Sequence, residues 1–134
     1  MNPKPKPKPK PIPKISEAEA IVMDALWSEN PLSADQIVQS LTQRQSWQES
    51  TIKTLLNRLL KKGAVAAQLE GRRYLYSPAF DRDQWQTQES VGFIDRVFGG
   101  QVAPLFAHLS QHRRLSVGDL KALKKLIEGM QDGR

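Results

Sequence analysis

Residues 49–63 read ESTIKTLLNRLLKKG and residues 64–78 read AVAAQLEGRRYLYSP, and the change of period between the two stretches decides the fold. In the first, Ile52, Leu55, Leu56 and Leu59 recur at i, i+3, i+4 and i+7, the spacing that lines one face of an α-helix. Lys61 and Lys62 suit the negative end of the helix dipole, and Gly63 suits a left-handed cap. A helix is therefore predicted over roughly Glu49 to Lys62. After Gly63 the period falls to two. Ala64–Leu69 and Arg72–Tyr76 read as short strands about Glu70-Gly71, with Tyr74 and Tyr76 on one face and Arg73 and Leu75 on the other.

Two more helices are predicted before this stretch. Ser16 with Glu19, and Ser33 with Gln36, have the three-residue spacing of a capping box. The first helix carries Ala18, Ile21, Val22, Ala25 and Leu26 as its apolar stripe and ends near Asn30-Pro31; the second carries Ala34, Ile37, Val38 and Leu41. Beyond Pro78 a long helix is expected from about Asp81 to Phe98, broken by Gly99-Gly100, then a short helix over Pro104–Leu109. Leu115-Ser116 opens a last helix, with a Leu115/Leu120 staple and a stripe of Leu120, Leu123, Ile127 and Met130. The expected fold is mainly α: a winged helix-turn-helix of three helices and a two-stranded wing, with a C-terminal helical dimerisation extension. Residues 1–14 are expected to form a disordered Lys-Pro arm, 15–80 the winged-helix domain and 81–134 the dimerisation domain.

The charge is unevenly placed. Of a net +6, five charges are the lysines Lys4, Lys6, Lys8, Lys10 and Lys14 of the arm, where alternating proline favours an extended, polyproline-like chain. Residues 15–43 hold five acids and no Lys or Arg, whereas residues 44–73 hold seven bases against Glu49 and Glu70. A basic block inside a folded region marks a surface for a polyanion. There is no Cys, which removes disulfides, thiolate metal sites and cysteine nucleophiles together. No apolar run has the length of a membrane span or the form of a signal peptide, so the cytoplasm is the expected compartment and no membrane partner is expected.

The third helix falls within that basic block. At 100° per residue its face opposite Ile52, Leu56 and Leu59 holds Ser50, Thr54, Asn57 and Lys61, with Thr51, Lys53 and Arg58 on the shoulders. Small hydroxyls near a helix N-terminus let the backbone approach a groove, Thr can meet a thymine methyl, Asn pairs with adenine and Lys donates to guanine. Arg58, Lys61 and Lys62 have the length to reach flanking phosphates, and Arg72 and Arg73 at the hairpin tip could hold phosphate or enter a minor groove. The plain alternative is an ordinary solvated face. The absence of any acid on this face after Glu49 favours double-stranded DNA as partner.

The stretches ISEAEAIVMDALW, LSADQIV, STIKTLLNRLLKKG and GRRYLYSP, at residues 15–27, 32–38, 50–63 and 71–78, together resemble the BlaI/MecI penicillinase-repressor family and its copper-responsive relatives. The resemblance runs from Ile15 through most of the chain, including the Phe98-Gly99-Gly100 corner. It implies a homodimeric repressor on a palindromic operator, controlling β-lactam-resistance or related genes, with the C-terminal helices dimerising. It also implies Thr51, Lys53 and Thr54 as base contacts. Copper-responsive members carry C-terminal cysteines; this chain has none, which excludes copper(I) sensing by that route. Members that answer to β-lactams are cut by a regulatory protease at an Asn-Phe bond, and here His108-Leu109 stands in the corresponding stretch. The Lys-Pro arm is not part of the family core.

Phe93, Val97, Phe98, Leu105, Phe106, Leu109, Leu120, Leu123 and Ile127 are the expected dimerisation residues, because the C-terminal helices are too few to cover one another. Two readings compete with a DNA-binding one. A winged helix can bind protein instead of DNA. Alternatively His108 and His112, four residues apart, could hold a metal in an enzyme; with so few further ligands nearby, neither a metal, a cofactor nor an activity is expected.

Overall fold

In the computed structural model of the protein, the structure describes residues 12–132. These form α1 (Glu17–Ser28), β1 (Leu32–Ser33), α2 (Ala34–Arg44), α3 (Glu49–Lys62), β2 (Val65–Glu70), β3 (Arg73–Pro78), α4 (Arg82–Phe98), α5 (Ala103–Gln111) and α6 (Val117–Asp132). They divide into two compact units between Gln88 and Glu89, inside α4.

In the first unit α1, α2 and α3 pack on one another around Val22, Met23, Leu26, Ile37, Leu41, Ile52, Leu56 and Leu59, all buried. Full burial of each large aliphatic side chain contributes about 1.5–3 kcal/mol relative to exposure. The two expected capping boxes form: Ser16 N–H donates to Glu19 Oε1 at 2.8 Å and Ser33 N–H to Gln36 Oε1 at 2.8 Å, each hydroxyl accepting in return. Helix α3 ends at Gly63, which takes φ +78° where a side chain would be strained. Helix α1 buries Val22, Met23, Ala25, Leu26 and the carboxylate Glu19, while Ala18 and Ile21 are only half-buried. Its seam is thus rotated from the expected stripe. The helix is apolar almost all round, so periodicity alone did not orient it.

The wing has a third strand. Order is β1-β3-β2, with Leu32 opposite Tyr76 and Ser33 opposite Leu75, and β2 running antiparallel from Val65 opposite Pro78 to Glu70 opposite Arg73. Two residues of β1 carry no periodic signal, which is why a two-stranded wing was expected. Gly71 turns the hairpin at φ +65°.

The unit boundary lies beyond the expected 80/81 junction because the first turns of α4 belong to the winged helix. Trp27 donates Nε1–H to the Phe80 carbonyl at 2.8 Å and packs on Trp85 at 5.3 Å between centroids, while Arg82 pairs with Asp24 and lies over the Trp27 ring. The arm also ends earlier than expected. Residues 1–11 lie outside the described residues, but Ile12 N–H donates to Gln88 Oε1 at 3.0 Å and Gln88 Nε2 donates to the Ile12 carbonyl at 2.8 Å. Ile12 to Lys14 are therefore held, not disordered.

In the second unit none of the described side chains is fully buried. Phe98 packs edge-on to Phe93 at 5.9 Å and against the His108 ring at 5.8 Å. Ser116 and Asp119 cap α6 reciprocally, at 3.0 Å each way. The Ser116 N–H, and after it the hydroxyl, hold the Asp119 carboxyl below the usual carboxylate range. Ala103, Phe106, Leu115, Leu120, Leu123 and Ile127 line an apolar groove of about 580 Å³.

Candidate nucleic-acid interface

Helix α3 divides cleanly between core and solvent. Ile52, Leu55, Leu56 and Leu59 are buried, whereas Ser50, Thr51, Lys53, Thr54, Asn57, Arg58 and Lys61 are all exposed on the other side. Every residue expected on the binding face of this helix is therefore presented together, and none is spent on packing. Arg72 and Arg73 at the wing tip are exposed as well.

Two of the seven are partly committed. Thr54 Oγ1 donates to the Ser50 carbonyl at 2.9 Å, which occupies the hydroxyl proton while the residue stays exposed. Lys53 Nζ lies 3.1 Å from Glu49 Oε1 in an i,i+4 pair with both side chains half exposed. Such a pair contributes about 0.3–0.5 kcal/mol, so an incoming anion or base edge can displace it.

The basic block also sorts into two groups. Lys62, expected to reach phosphate, turns inward: its Nζ lies 2.6 Å from Glu19 Oε1, a carboxylate only 2% exposed. Arg44 and Arg82 both pair with Asp24. These three cations serve the fold. Among the described residues, Arg58, Lys61, Arg72 and Arg73 take part in no ion pair, which leaves their charge for a ligand.

Glu19 is the site's main surprise. Burial pushes its carboxyl up, but the hydrogen bonds from Lys62, the Ser16 N–H and the Ser16 hydroxyl, with the Lys62 charge, outweigh this and hold it below the ordinary value. Oε1 takes two donors, the Ser16 N–H and Lys62, while Oε2 has no partner among the described residues. Its capping role was legible three residues after Ser16. Its second role was not, because Lys62 is 43 residues away in the chain.

Among the described residues no three His, Asp or Glu side chains converge, and His112 stands at the C-cap of α5, one turn after His108. His108-Leu109 sits inside α5, with His108 exposed and Leu109 half-buried. No described helix is long and apolar enough to cross a membrane.

The penicillinase repressor of Bacillus licheniformis is 30% identical over 115 residues, covering 86% of this chain and 90% of that protein. The methicillin resistance regulatory protein MecI of Staphylococcus aureus strain N315 is 26% identical over 114 residues, covering 85% of this chain and 93% of MecI. The solution structure of the monomeric form of Bacillus licheniformis BlaI in complex with the blaP half-operator matches with a TM-score of 0.50 at 37% identity, covering 55% of this chain and 89% of that one. The profile of the penicillinase repressors itself matches residues 15–129, so the chain belongs to the penicillinase-repressor family of DNA-binding transcriptional repressors.

Proposed function

We propose that the chain represses transcription as a homodimer on a palindromic operator, each protomer laying α3 in the major groove of one half-site. The observation that carries this reading is the exposed, acid-free outer face of α3 from Ser50 to Lys61, together with wing-tip cations that take part in no ion pair among the described residues. Thr51, Lys53 and Thr54 then meet base edges, with Ser50 letting the backbone approach and Asn57 suited to adenine. Arg58, Lys61, Arg72 and Arg73 hold phosphates and fix the register. The relative solved on a half-operator supports one reading helix per half-site.

The regulated genes, on this reading, are β-lactam-resistance or related genes, and the repressor acts in the cytoplasm. Relief comes from cleavage near His108-Leu109 by a regulatory protease. Because that bond is helical, α5 must open locally before an extended segment can be offered for cutting.

The decisive experiment is selection of genomic fragments by the purified protein at moderate salt, followed by binding to the selected site. Thr54→Ala should relax preference at one or two base positions by about 1–3 kcal/mol per lost contact. Lys61→Gln should weaken all sequences alike and lower the salt slope by about 1. If Thr54→Ala leaves selectivity untouched, another face reads the bases. Binding of a protein partner with no salt-sensitive DNA binding at all would instead favour a protein-interaction module.

A further inference from the structure

We propose that Glu49 and Lys53 together read one C·G base pair of each half-site, and that Glu49 withholds Lys53 from the phosphates of other sequences. This rests on the operator reading above and deepens it, adding to the reading face an acid not among the residues assigned to it there.

Glu49 is the first residue of α3 and the one acid in that helix. An acid in a first turn ordinarily serves the helix end. Glu19 in α1 and Asp119 in α6 do so: each stands three residues after a serine and accepts its backbone N–H. Glu49 instead follows directly on Gln48, which makes no side-chain cap, and its Oε1 lies 3.1 Å from Lys53 Nζ. Both side chains stay open to solvent, Glu49 at 56% and Lys53 at 50% exposure. The pair therefore presents a charged acceptor and a charged donor side by side.

Its place on α3 is the place for reading. In a helix-turn-helix the N-terminal residues of the recognition helix meet base edges. Glu49 precedes Lys53 by one turn, about 6 Å along the axis, on the same shoulder of the outer face.

The chemistry selects the base pair. A carboxylate only accepts and an ammonium only donates. In the major groove guanine offers the acceptors O6 and N7 and cytosine the donor N4, so a C·G pair meets both charges at once. An A·T pair does not, because its adenine amino group lies between adenine N7 and thymine O4, and each of these acceptors repels the carboxylate. On other sequences Lys53 reaches a phosphate only by leaving Glu49. A bare carboxylate then faces a duplex with one negative charge per about 1.7 Å. The acid thus lowers affinity everywhere except at its own base pair, and that difference is specificity.

The test compares the full chain with Glu49→Gln, Lys53→Met and the double variant, with thermal unfolding followed to confirm intact folds. The probes are the selected half-site duplex, versions of it with each C·G pair changed in turn to the other pairs, and a scrambled duplex. The parent should favour one C·G pair about tenfold or more over its replacements, the worth of a hydrogen bond to a charged group. Glu49→Gln should move that preference toward adenine, which a glutamine amide suits, and Lys53→Met should lose preference at the same base pair. The double variant should lose no more there than the larger single loss, as for two side chains sharing one partner. On the scrambled duplex Glu49→Gln should bind several-fold tighter than the parent, with a salt slope steeper by about 0.9, the mark of one released lysine.

A Glu49→Gln protein that melts lower and binds every duplex more weakly by the same factor would assign Glu49 to the helix end and overturn the proposal. A selected half-site without a C·G pair would overturn it too. Losses at different base pairs in the two single variants would overturn the joint reading, and an unchanged slope on the scrambled duplex would overturn the withholding of Lys53. Failure of the operator reading itself would look different: the parent would show no preference for the selected half-site over the scrambled duplex.

Discussion

Replacing Leu123 and Ile127 together by Lys is expected to leave a folded winged helix that is monomeric and binds the full operator about a hundredfold or more weakly, since linking two weak half-sites adds about 10²–10⁴ in avidity. The physical basis is the second unit's lack of a core. Ile127, Leu120, Leu126 and Met130 on α6 are all more than half exposed, as are Val91 and Val97 on α4, with Phe93 exposed beside them. The groove lined by Phe106, Leu115, Leu120, Leu123 and Ile127 has no filling among the described residues. A symmetric copy can supply the missing surface and bring a second α3 to the palindrome. Phe98, Leu105 and Leu109, expected on the same seam, are half-buried within the unit and shape it. Both substituted residues belong to the second unit and α3 to the first, so binding to a single half-site should be unchanged. Sedimentation beside operator titration is the check. A variant that is monomeric throughout yet binds the palindrome like the parent would refute the dimer reading.

How far the chain could be read before its structure was seen depended on the range of each interaction. Helix α3, its outward face, the hairpin and all three Ser-headed caps follow from neighbours within four residues, and those were legible. The same was not true of α1, where apolar residues on nearly every side left the seam to be chosen by α2 and α3. It was not true of β1 either, since Leu32 and Ser33 become a strand only by lying against Tyr76 and Leu75. Lys62 reads locally as one more cation at a helix end. Only the fold brings it to Glu19 and to the Lys14 carbonyl. Likewise Gln88 is an unremarkable polar residue of a long helix until Ile12 lies against it. The residues proposed to touch DNA were thus accessible from sequence, whereas those that hold the domain and its arm in place were not.

The second large effect is expected at that hidden pair. Lys62→Met should destabilise the first unit by about 1–3 kcal/mol, because it takes a partly exposed cation from a buried carboxylate whose other oxygen has no partner among the described residues. The loss would also free the Lys14 carbonyl. Removing both charges is a different experiment. A Glu19→Leu/Lys62→Met double substitution takes away the desolvation cost together with the attraction, and should recover most of the stability, leaving mainly the Ser16 N–H without its carboxylate acceptor, about 1 kcal/mol, while the Ser16 hydroxyl still accepts from the backbone N–H of residue 19. Acid gives an independent check on the sign. A carboxyl held below its ordinary value in the folded state stabilises the fold at pH above that ordinary value, and this contribution is lost as pH falls through the lowered one. The parent should therefore lose stability across the acidic range in urea titrations at stepped pH, and the double variant should lose less. In Lys62→Met the remaining Glu19 loses the cation's hydrogen bond and charge but keeps those of Ser16, so its carboxyl should rise relative to the parent's, and that variant should lose less stability in acid than the parent does. A parent and a double variant with the same acid dependence would show that the Glu19–Lys62 contact does not hold α1 to the end of α3.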